Sequence, residues 1–467
     1  MKRPLSVILL LLLTIMSFTS CLEKPETIEL ENQVSQELTQ EYNQLLDFTQ
    51  NASELKEVEK YILDWADANS FKAYHDKNGN ISISKDAYGD YENEPSTIVQ
   101  CTLTLENPEI YVKSMATALY ILKNAESHGR ISVLFTSNED GAMNGAYKIN
   151  DKYLKADRLI SLDWIEEKSI LTESAGITDF TLSKSITWSE PICTNAYEIS
   201  IQGLSETGFL SEQSAKTNPI KVIGDLLAGV KSSGILFELA SFNGGLSGDT
   251  QPTAATAVVL LNDNDINKFT KRFNSSRDKL IDKYSKNHVN LTYTLTEIEL
   301  PDKVVSAEDC TSIVSLLYTL FNGVYLKSDG GVALTVSNLG SISTYTGNFI
   351  ANVSARSVSE EALSELSTTF ETICGLCNVR FFAQETAPIW SSVQNSALAG
   401  EIYALMESIF VSNVKIRSTL LQTECSVFQI RNPELAIVSI GISEDDMFPT
   451  ASLLLEFLDG SKRSMPV

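Results

Sequence analysis

The stretch that decides the fold is residues 97–162, where short apolar runs alternate with segments of helical periodicity. In chain order the segments are TIVQCTL (97–103), IYVKSMATALYILK (110–123), ISVLF (131–135), GAMNGAYKI (141–149) and RLISL (158–162). The first, third and fifth predict buried strands, and the second and fourth predict helices. Alternation of this kind predicts an α/β domain with a largely parallel sheet.

On the C-terminal side of this stretch, the pattern of predicted strands and helices changes twice. After about Ser189, strands and helices no longer alternate regularly, which predicts an inserted α+β domain. From Ala387 the pattern returns to helix, strand and helix. The predicted organisation is a tether over 21–36, an α/β domain over 37–188 and 386–467, and an inserted domain over 189–385.

The composition limits the possible functions. The chain has 467 residues, of which 43% are hydrophobic and 21% are charged, and this is typical of a globular protein rather than a disordered one. Its formal net charge of −24 repels phosphate backbones, so we expect no nucleic-acid partner. Only three residues are histidines, which restricts any chemistry based on imidazole.

The N-terminus carries the pattern of an export signal. Residues 2–3 are basic, residues 5–18 are largely apolar, and FTSC (18–21) resembles a bacterial lipobox. The pattern predicts a signal peptide over 1–20, lipidation of Cys21, and an exported protein anchored by its lipid on the periplasmic or cell-surface face of a membrane. An ordinary signal peptide with an incidental cysteine, or an uncleaved anchor, are the alternatives.

Six further cysteines are scattered along the chain, so disulfides are possible outside the cytosol. Cys374 and Cys377 have the spacing of a redox or metal motif, but no second pair or nearby histidine accompanies them. We interpret both as small hydrophobic residues on one helix.

Several strings resemble the M20 metallopeptidases, in particular the aminoacyl-histidine (cytosol non-specific) dipeptidase branch. The similar strings are TSNEDGAMNGA (136–146), LISLD (159–163), FNGG (242–245) with Pro252, ARS (355–357), and EC (424–425) with VSIG (438–441). Their order covers nearly the whole chain from about residue 40. The resemblance implies a three-layer zinc-peptidase-like domain with an inserted lid and dimerisation domain.

The resemblance also implies a chemistry, namely peptide hydrolysis by two bridged Zn²⁺ ions. It places the general base at Glu139 and carboxylate ligands at Asp140 and Asp163. Arg356 falls at the lid arginine that is expected to bind the substrate carboxylate. A homodimer through the lid domain is a further implication.

Other positions depart from the family pattern. The His-x-Asp motif is replaced by residues 102–104, Thr-Leu-Thr, and the bridging Asp aligns near Ile110, beside Glu109. In the lid, Phe209 stands where a histidine is expected, and Asp249 stands where an asparagine would face the substrate. The changes remove an imidazole ligand and the bridging carboxylate, without which two metal ions are not held together.

The three histidines do not restore the missing ligands. The terminal histidine expected after residues 439–441 is absent, and His75, His128 and His288 form no ligand pair by spacing. We expect all three to be solvated surface residues. The remaining oxygen-only set suits Ca²⁺ or Mg²⁺ weakly and Zn²⁺ poorly.

The expected function follows from these departures. We predict an inactive M20 dipeptidase homologue, without a cofactor, that binds a peptide, a glycan or another protein or serves as a scaffold. In that interpretation Glu139, Asp140 and Asp163 are idle, capping or solvated acids. The alternative is an active dipeptidase with an unorthodox metal site that uses Zn²⁺ to hydrolyse small peptides.

Overall fold

The computed structural model describes residues 25–139, 141–204, 217–345, 347–392, 396–410 and 414–462. The protein consists of two compact units, each with more contacts inside it than to the other. Unit 1 draws on Met1–Ile170, Asn395–Lys415 and Arg431–Val467, and unit 2 draws on Leu171–Gln394 and Ile416–Ile430.

The helices and strands follow in chain order. The chain up to residue 164 forms α1 (Pro25–Asn51), α2 (Leu55–Ala68), β1 (Lys72–His75), β2 (Ile81–Lys85), β3 (Thr97–Leu103), α3 (Pro108–Asn124), β4 (Ile131–Ser137), α4 (Asn144–Tyr147) and β5 (Arg158–Trp164). Residues 169–391 contain β6 (Ser169–Ser174), β7 (Gly176–Ser185), β8 (Trp188–Ser189), β9 (Asn195–Gln202), α5 (Pro219–Ser232), β10 (Phe237–Gly245), β11 (Ala255–Leu261), α6 (Asp263–Tyr284), β12 (Thr292–Ile298), β13 (Val304–Val305), α7 (Ala307–Thr319), β14 (Gly323–Lys327), β15 (Ala333–Tyr345), β16 (Asn348–Ser357), α8 (Glu360–Leu376), β17 (Arg380–Ala387) and β18 (Trp390–Ser391). Residues 396–458 contain α9 (Ser396–Phe410), β19 (Lys415–Thr419), α10 (Glu424–Arg431), β20 (Ala436–Gly441) and α11 (Met447–Leu458).

Unit 1 is built on a sheet in which strands run in the order β1-β2-β4-β3-β5-β20. Strands β4, β3, β5 and β20 are mutually parallel, whereas β1 and β2 are antiparallel additions at one edge. The parallel core confirms the predicted α/β class. Because parallel strands all end at the same edge, the residues that follow β3, β4 and β5 lie along one carboxyl edge of the sheet.

Helix α3 is buried along much of its length. Its residues Val112, Met115 and Leu119 are inaccessible to solvent and belong to the same apolar cluster as Val99 of β3 and Ile160 of β5. The cluster shows why segment 110–123 is apolar around much of its circumference, since a helix that is covered on several sides needs apolar residues on each of them.

Two segments differ from their predictions. The helix predicted over 141–149 is reduced to the single turn α4, because Gly141 and Met143 have positive φ angles of 71° and 54° that a right-handed helix excludes. The segment predicted as a tether is helical from Pro25 onward, as part of α1. The segment was predicted as a tether because its composition is polar. It nevertheless contains many residues that favour helices, and these follow a proline in the first turn.

Unit 2 is built on an antiparallel sheet with the strand order β12-β9-β11-β10-β15-β16-β7-β17, and β14 pairs with β15. Helices α5, α6, α7 and α8 contribute apolar residues to the core of this unit, including Ile223, Phe269, Leu316 and Phe370. This core therefore belongs to an α+β layer arrangement.

No helix in the described ranges is long and apolar enough to cross a membrane. The six cysteines beyond Cys21 are free thiols. Cys374 is buried in the core of unit 2, and burial raises its pKa to about 12, so it remains protonated and unreactive at neutral pH. Cys377 directly follows α8.

Candidate functional site

Asp163 lies near the end of β5, and its carboxylate is held by the neighbouring strand β3. The backbone N–H of Thr102 donates to Oδ1 at 3.0 Å. The Thr102 hydroxyl and the Gln100 side-chain amide each donate to Oδ2 at 2.8 Å. Gln100 and Thr102 are two residues apart on β3 and share a face of the sheet, so both reach the same carboxylate.

The surroundings of Asp163 act on its protonation in opposite directions. Burial raises the pKa of Asp163 to about 6, although the hydrogen bonds from Thr102 and Gln100 favour the charged form. A carboxylate offers about four positions for hydrogen-bond donors or a cation. Three of them are taken by β3, which leaves little of this carboxylate for a metal ion.

Glu139 is exposed and lies two residues beyond the end of β4. The loop that follows closes on Asn138, whose side-chain oxygen accepts a hydrogen bond from the backbone N–H of Met143 at 2.9 Å. Asp140, the other predicted ligand of this loop, lies outside the described residues. The strand order is β4-β3-β5, so Glu139 follows one neighbour of β3 and Asp163 lies near the end of the other.

The positions that depart from the family pattern have structural partners of their own. Thr102 bonds to Asp163, and the Thr104 hydroxyl accepts from the backbone N–H of Glu106 at 3.1 Å. Ile110, at the position of the bridging ligand, is 41% exposed in the first turn of α3 and offers no ligand atom. The neighbouring Glu109 accepts a hydrogen bond from Gln50 at 3.1 Å.

The three histidines have different surroundings. His75 is partly exposed, and its Nε2 lies 3.1 Å from Oε2 of the buried Glu59. His128 is fully buried, with its Nδ1 2.5 Å from the carbonyl of Gly129, and His288 is buried in unit 2. The prediction of three solvated histidines is therefore wrong for His128 and His288. At His128 the adjacent backbone is tightly packed, because a Cβ on Gly129 would lie 2.6 Å from a backbone oxygen.

The donor groups of the described residues do not fit the dinuclear zinc centre that the resemblance implies. In the ranges that the structure describes, no group of three or more His, Cys, Asp and Glu side chains is arranged to hold a metal ion. Zinc prefers nitrogen and sulfur donors beside carboxylates, and Thr102 and Ile110 supply neither. Asp163 already accepts three hydrogen bonds from β3.

Arg356 lies in unit 2, on β16, and is partly buried. Burial lowers the pKa of its guanidinium, while the nearby carboxylates of Asp249 and Asp179 favour the charged form. Asp249 is itself exposed and accepts a hydrogen bond from the Ser247 hydroxyl at 2.5 Å. Phe209, predicted at the position of a lid histidine, lies outside the described residues.

Comparisons with known proteins identify the fold. No protein-family model matches the chain. The cytosol non-specific dipeptidase of Escherichia coli (strain K12) is 24% identical over 422 residues, which cover 83% of this chain and 87% of that protein. The structure of the aminoacylhistidine dipeptidase from Vibrio alginolyticus matches with a TM-score of 0.77 at 22% identity, covering 91% of this chain and 96% of that one. This chain is M20 dipeptidase-like.

The predicted resemblance is thus confirmed at the level of homology and fold. A more distant match is the aminopeptidase PepT from Bacillus cereus, with a TM-score of 0.53 and 12% identity over 91% of this chain and 98% of that one. The M20-like chain shares its fold with these structures, and Thr102 and Ile110 stand where the resemblance predicts metal ligands.

The prediction of an exported, membrane-anchored lipoprotein is contradicted. The relative that the M20-like chain matches in sequence is by name a dipeptidase of the cytosol. The prediction rested only on the basic, apolar and small residues that precede Cys21, a local pattern that no other feature supports. Residues 1–24, including Cys21, lie outside the described residues.

The sequence analysis did not predict two sets of contacts, those of Gln100 and those between Glu59 and His75. Gln100 was treated only as part of a strand, and its position two residues before Thr102 is the signal that could have placed it on the same face. The pair of Glu59 and His75 joins α2 to β1, and no local pattern shows this contact because sixteen positions separate the two residues.

Replacing Thr102 tests whether β3 holds the Asp163 carboxylate. We expect Thr102→Val to lower the free energy of unfolding by about 1.5–3 kcal/mol, because it removes a hydrogen bond to a charged group. The matched control is Thr97→Val on the same strand, since the buried Thr97 hydroxyl has no hydrogen-bond partner among the described residues. Urea unfolding measures both variants, and equal losses would contradict the assignment.

Because His128 is buried, we expect the free energy of unfolding to depend on pH. Burial lowers the pKa of His128, the charge of Lys85 acts in the same direction, and the Gly129 carbonyl opposes it. The folded state therefore resists protonation, and stability should fall as the pH drops below about 6.5, where the unfolded histidine gains its proton. His128→Gln should flatten this dependence in chemical unfolding measured between pH 5 and pH 8. An unchanged slope would show that other groups cause it.

Proposed function

We propose that this M20-like protein binds short peptides and does not hydrolyse them by a dinuclear zinc mechanism. The observation that carries the proposal is the hydrogen bonding of Asp163, whose carboxylate accepts from Thr102 at the position where the family pattern has a histidine ligand. Homology to a dipeptidase supports a short peptide as the ligand.

Glu139 without a metal-bound water has limited catalytic power. General-base assistance alone contributes about 10²- to 10⁴-fold, far less than peptide hydrolysis requires. A metal ion lowers the pKa of its bound water and polarises the scissile carbonyl, and the described residues offer no imidazole beside Asp163 for such an ion.

A second candidate function is metal-dependent hydrolysis of dipeptides. The comparisons favour it, because the E. coli relative is a dipeptidase by name and is similar over most of this chain. Glu139, Asp140, Asp163 and Arg356 all keep residue types that resemble the family pattern. In this alternative, the site would bind Zn²⁺ through oxygen ligands that include Asp140.

One assay separates the two candidates. The full chain is incubated with Zn²⁺ and a panel of dipeptides, and released amino acids are quantified, while calorimetry in EDTA measures dipeptide binding. We expect saturable binding that survives EDTA, with no release above that of Glu139→Gln. The matched control is Glu434→Gln, which replaces an exposed glutamate elsewhere in unit 1. Zinc-dependent release that Glu139→Gln abolishes and Glu434→Gln preserves would establish the second candidate. Absence of dipeptide binding would contradict the first.

A further inference from the structure

Unit 2 has a groove between helices α5 and α6 that contains none of the residues to which the resemblance gives a role. Its wall on α5 includes Val222, Asp225 and Gly229, and its wall on α6 runs from Arg272 to Tyr284. The volume of about 420 Å³ lies in the range of small-molecule sites. Both helices belong to unit 2, so the groove lies within one compact unit.

Three cationic side chains of α6 line this groove, namely Arg272, Lys279 and Lys283. All three are exposed, and none forms an ion pair with an acid in the described ranges. The Nζ atom of Lys283 lies 5.0 Å from the ring centroid of Tyr284, a contact that leaves its charge in place. Spacings of seven and four residues put the three cations on one face of the helix, in a row along the groove.

The charge balance of the groove is positive. Among the described residues that line it, Asp225 is the only acid, and its Oδ1 lies 3.5 Å from Nζ of Lys221 on the same helix. Three positive charges against one negative charge leave an excess of two. Counting Lys221 and the exposed Asp282, which lie outside the lining, adds one charge of each sign and keeps that excess. Asp278, also outside it, pairs with Arg277 at 2.9 Å. A concave surface with such an excess attracts anions.

Gly229 leaves room for a ligand between the two helices. A Cβ at this position would come within 4 Å of one atom beyond the local backbone, Nη1 of Arg272, at 4.0 Å. The guanidinium of Arg272 therefore lies across the groove, beside α5. Glycine is unfavourable inside a helix, and at Gly224 a close neighbour accounts for it, since a Cβ there would lie 3.3 Å from Leu317. No such packing contact accounts for Gly229 among the described residues.

We propose that this groove binds a short linear chain of linked phosphate groups. Arg272 and Lys283 are eleven residues apart, so their backbone positions are separated by about 16 Å along the helix. A single phosphate group is too small to contact both, whereas linked phosphates carry charge along their length and contact all three cations. Arginine binds phosphate oxygens through paired N–H donors, and lysine binds them as a point charge. The proposal is independent of peptide binding in unit 1 and needs no metal ion.

Two phosphate probes test the class of ligand. Calorimetry on the full chain, in a metal-free buffer of low ionic strength, compares tripolyphosphate with orthophosphate. We expect one tripolyphosphate per chain, bound at least about tenfold more tightly than orthophosphate, because each added phosphate gains charge-assisted hydrogen bonds. Added salt should weaken binding, since exposed charges are screened. Equal affinities for the two probes, or no saturable binding of tripolyphosphate, would overturn the proposal.

Two further probes separate the possible sources of the negative charge. Triglutamate carries several carboxylates along an extended chain, and binding as tight as that of tripolyphosphate would overturn the choice of phosphate. Adenosine triphosphate carries the same three linked phosphates on a nucleoside. Tighter binding than that of tripolyphosphate would support the proposal with a nucleotide as the ligand, and equal or weaker binding would support it with a free oligophosphate.

Variants of the lysines test the location. The double substitution Lys279→Gln with Lys283→Gln should weaken binding of tripolyphosphate about tenfold or more. The matched control is Lys271→Gln with Lys286→Gln, which removes the same charge from exposed positions of the same region outside the groove. All four residues are exposed, so we expect both proteins to fold, and circular dichroism checks this. Equal weakening in the two double variants would show a general charge effect and overturn the assignment.

Discussion

The hydrogen bonds from β3 to Asp163 are the constraint on which the candidate site depends. Parallel pairing fixes Gln100 opposite Ser161 in β5, so the next residues of β3 must lie beside the carboxylate at the end of β5. With a threonine at position 102, that carboxylate receives donors from the protein. The M20-like fold is thus kept, while Thr102, at a position where the resemblance predicts a metal ligand, forms hydrogen bonds inside the sheet.

The loop that carries Glu139 is held by a second constraint, the buried side chain of Asn80. Its oxygen accepts from the backbone N–H of Ser137 at 3.1 Å, and its amide donates to Asp76 and to the carbonyl of Gly145, each at 3.0 Å. A Cβ on Gly145 would lie 2.3 Å from a backbone oxygen, so a larger residue does not fit there. One asparagine therefore connects the hairpin, the end of β4 and the start of α4, and it shapes the candidate site.

Much of this arrangement could be predicted because it is encoded locally. The periodicity of residues 97–162 predicted β3, α3, β4 and β5, and the strings of M20 type predicted the fold. The rest depends on contacts between distant segments. Neither the hydrogen bond from Gln100 nor the burial of His128 can be read from neighbouring residues, because sheet register and packing determine both. The prediction for the N-terminus was wrong. There, a short local pattern predicted a lipid anchor, which the comparison with a dipeptidase of the cytosol contradicts.

The zinc stoichiometry of the full chain tests the central claim most directly. After equilibrium dialysis against micromolar Zn²⁺, elemental analysis gives the number of ions bound per chain. If β3 occupies the Asp163 carboxylate, the chain should hold less than one ion, and Asp163→Ala should not change that value. Two ions per chain, lost on Asp163→Ala, would show that this carboxylate binds metal and would contradict the account.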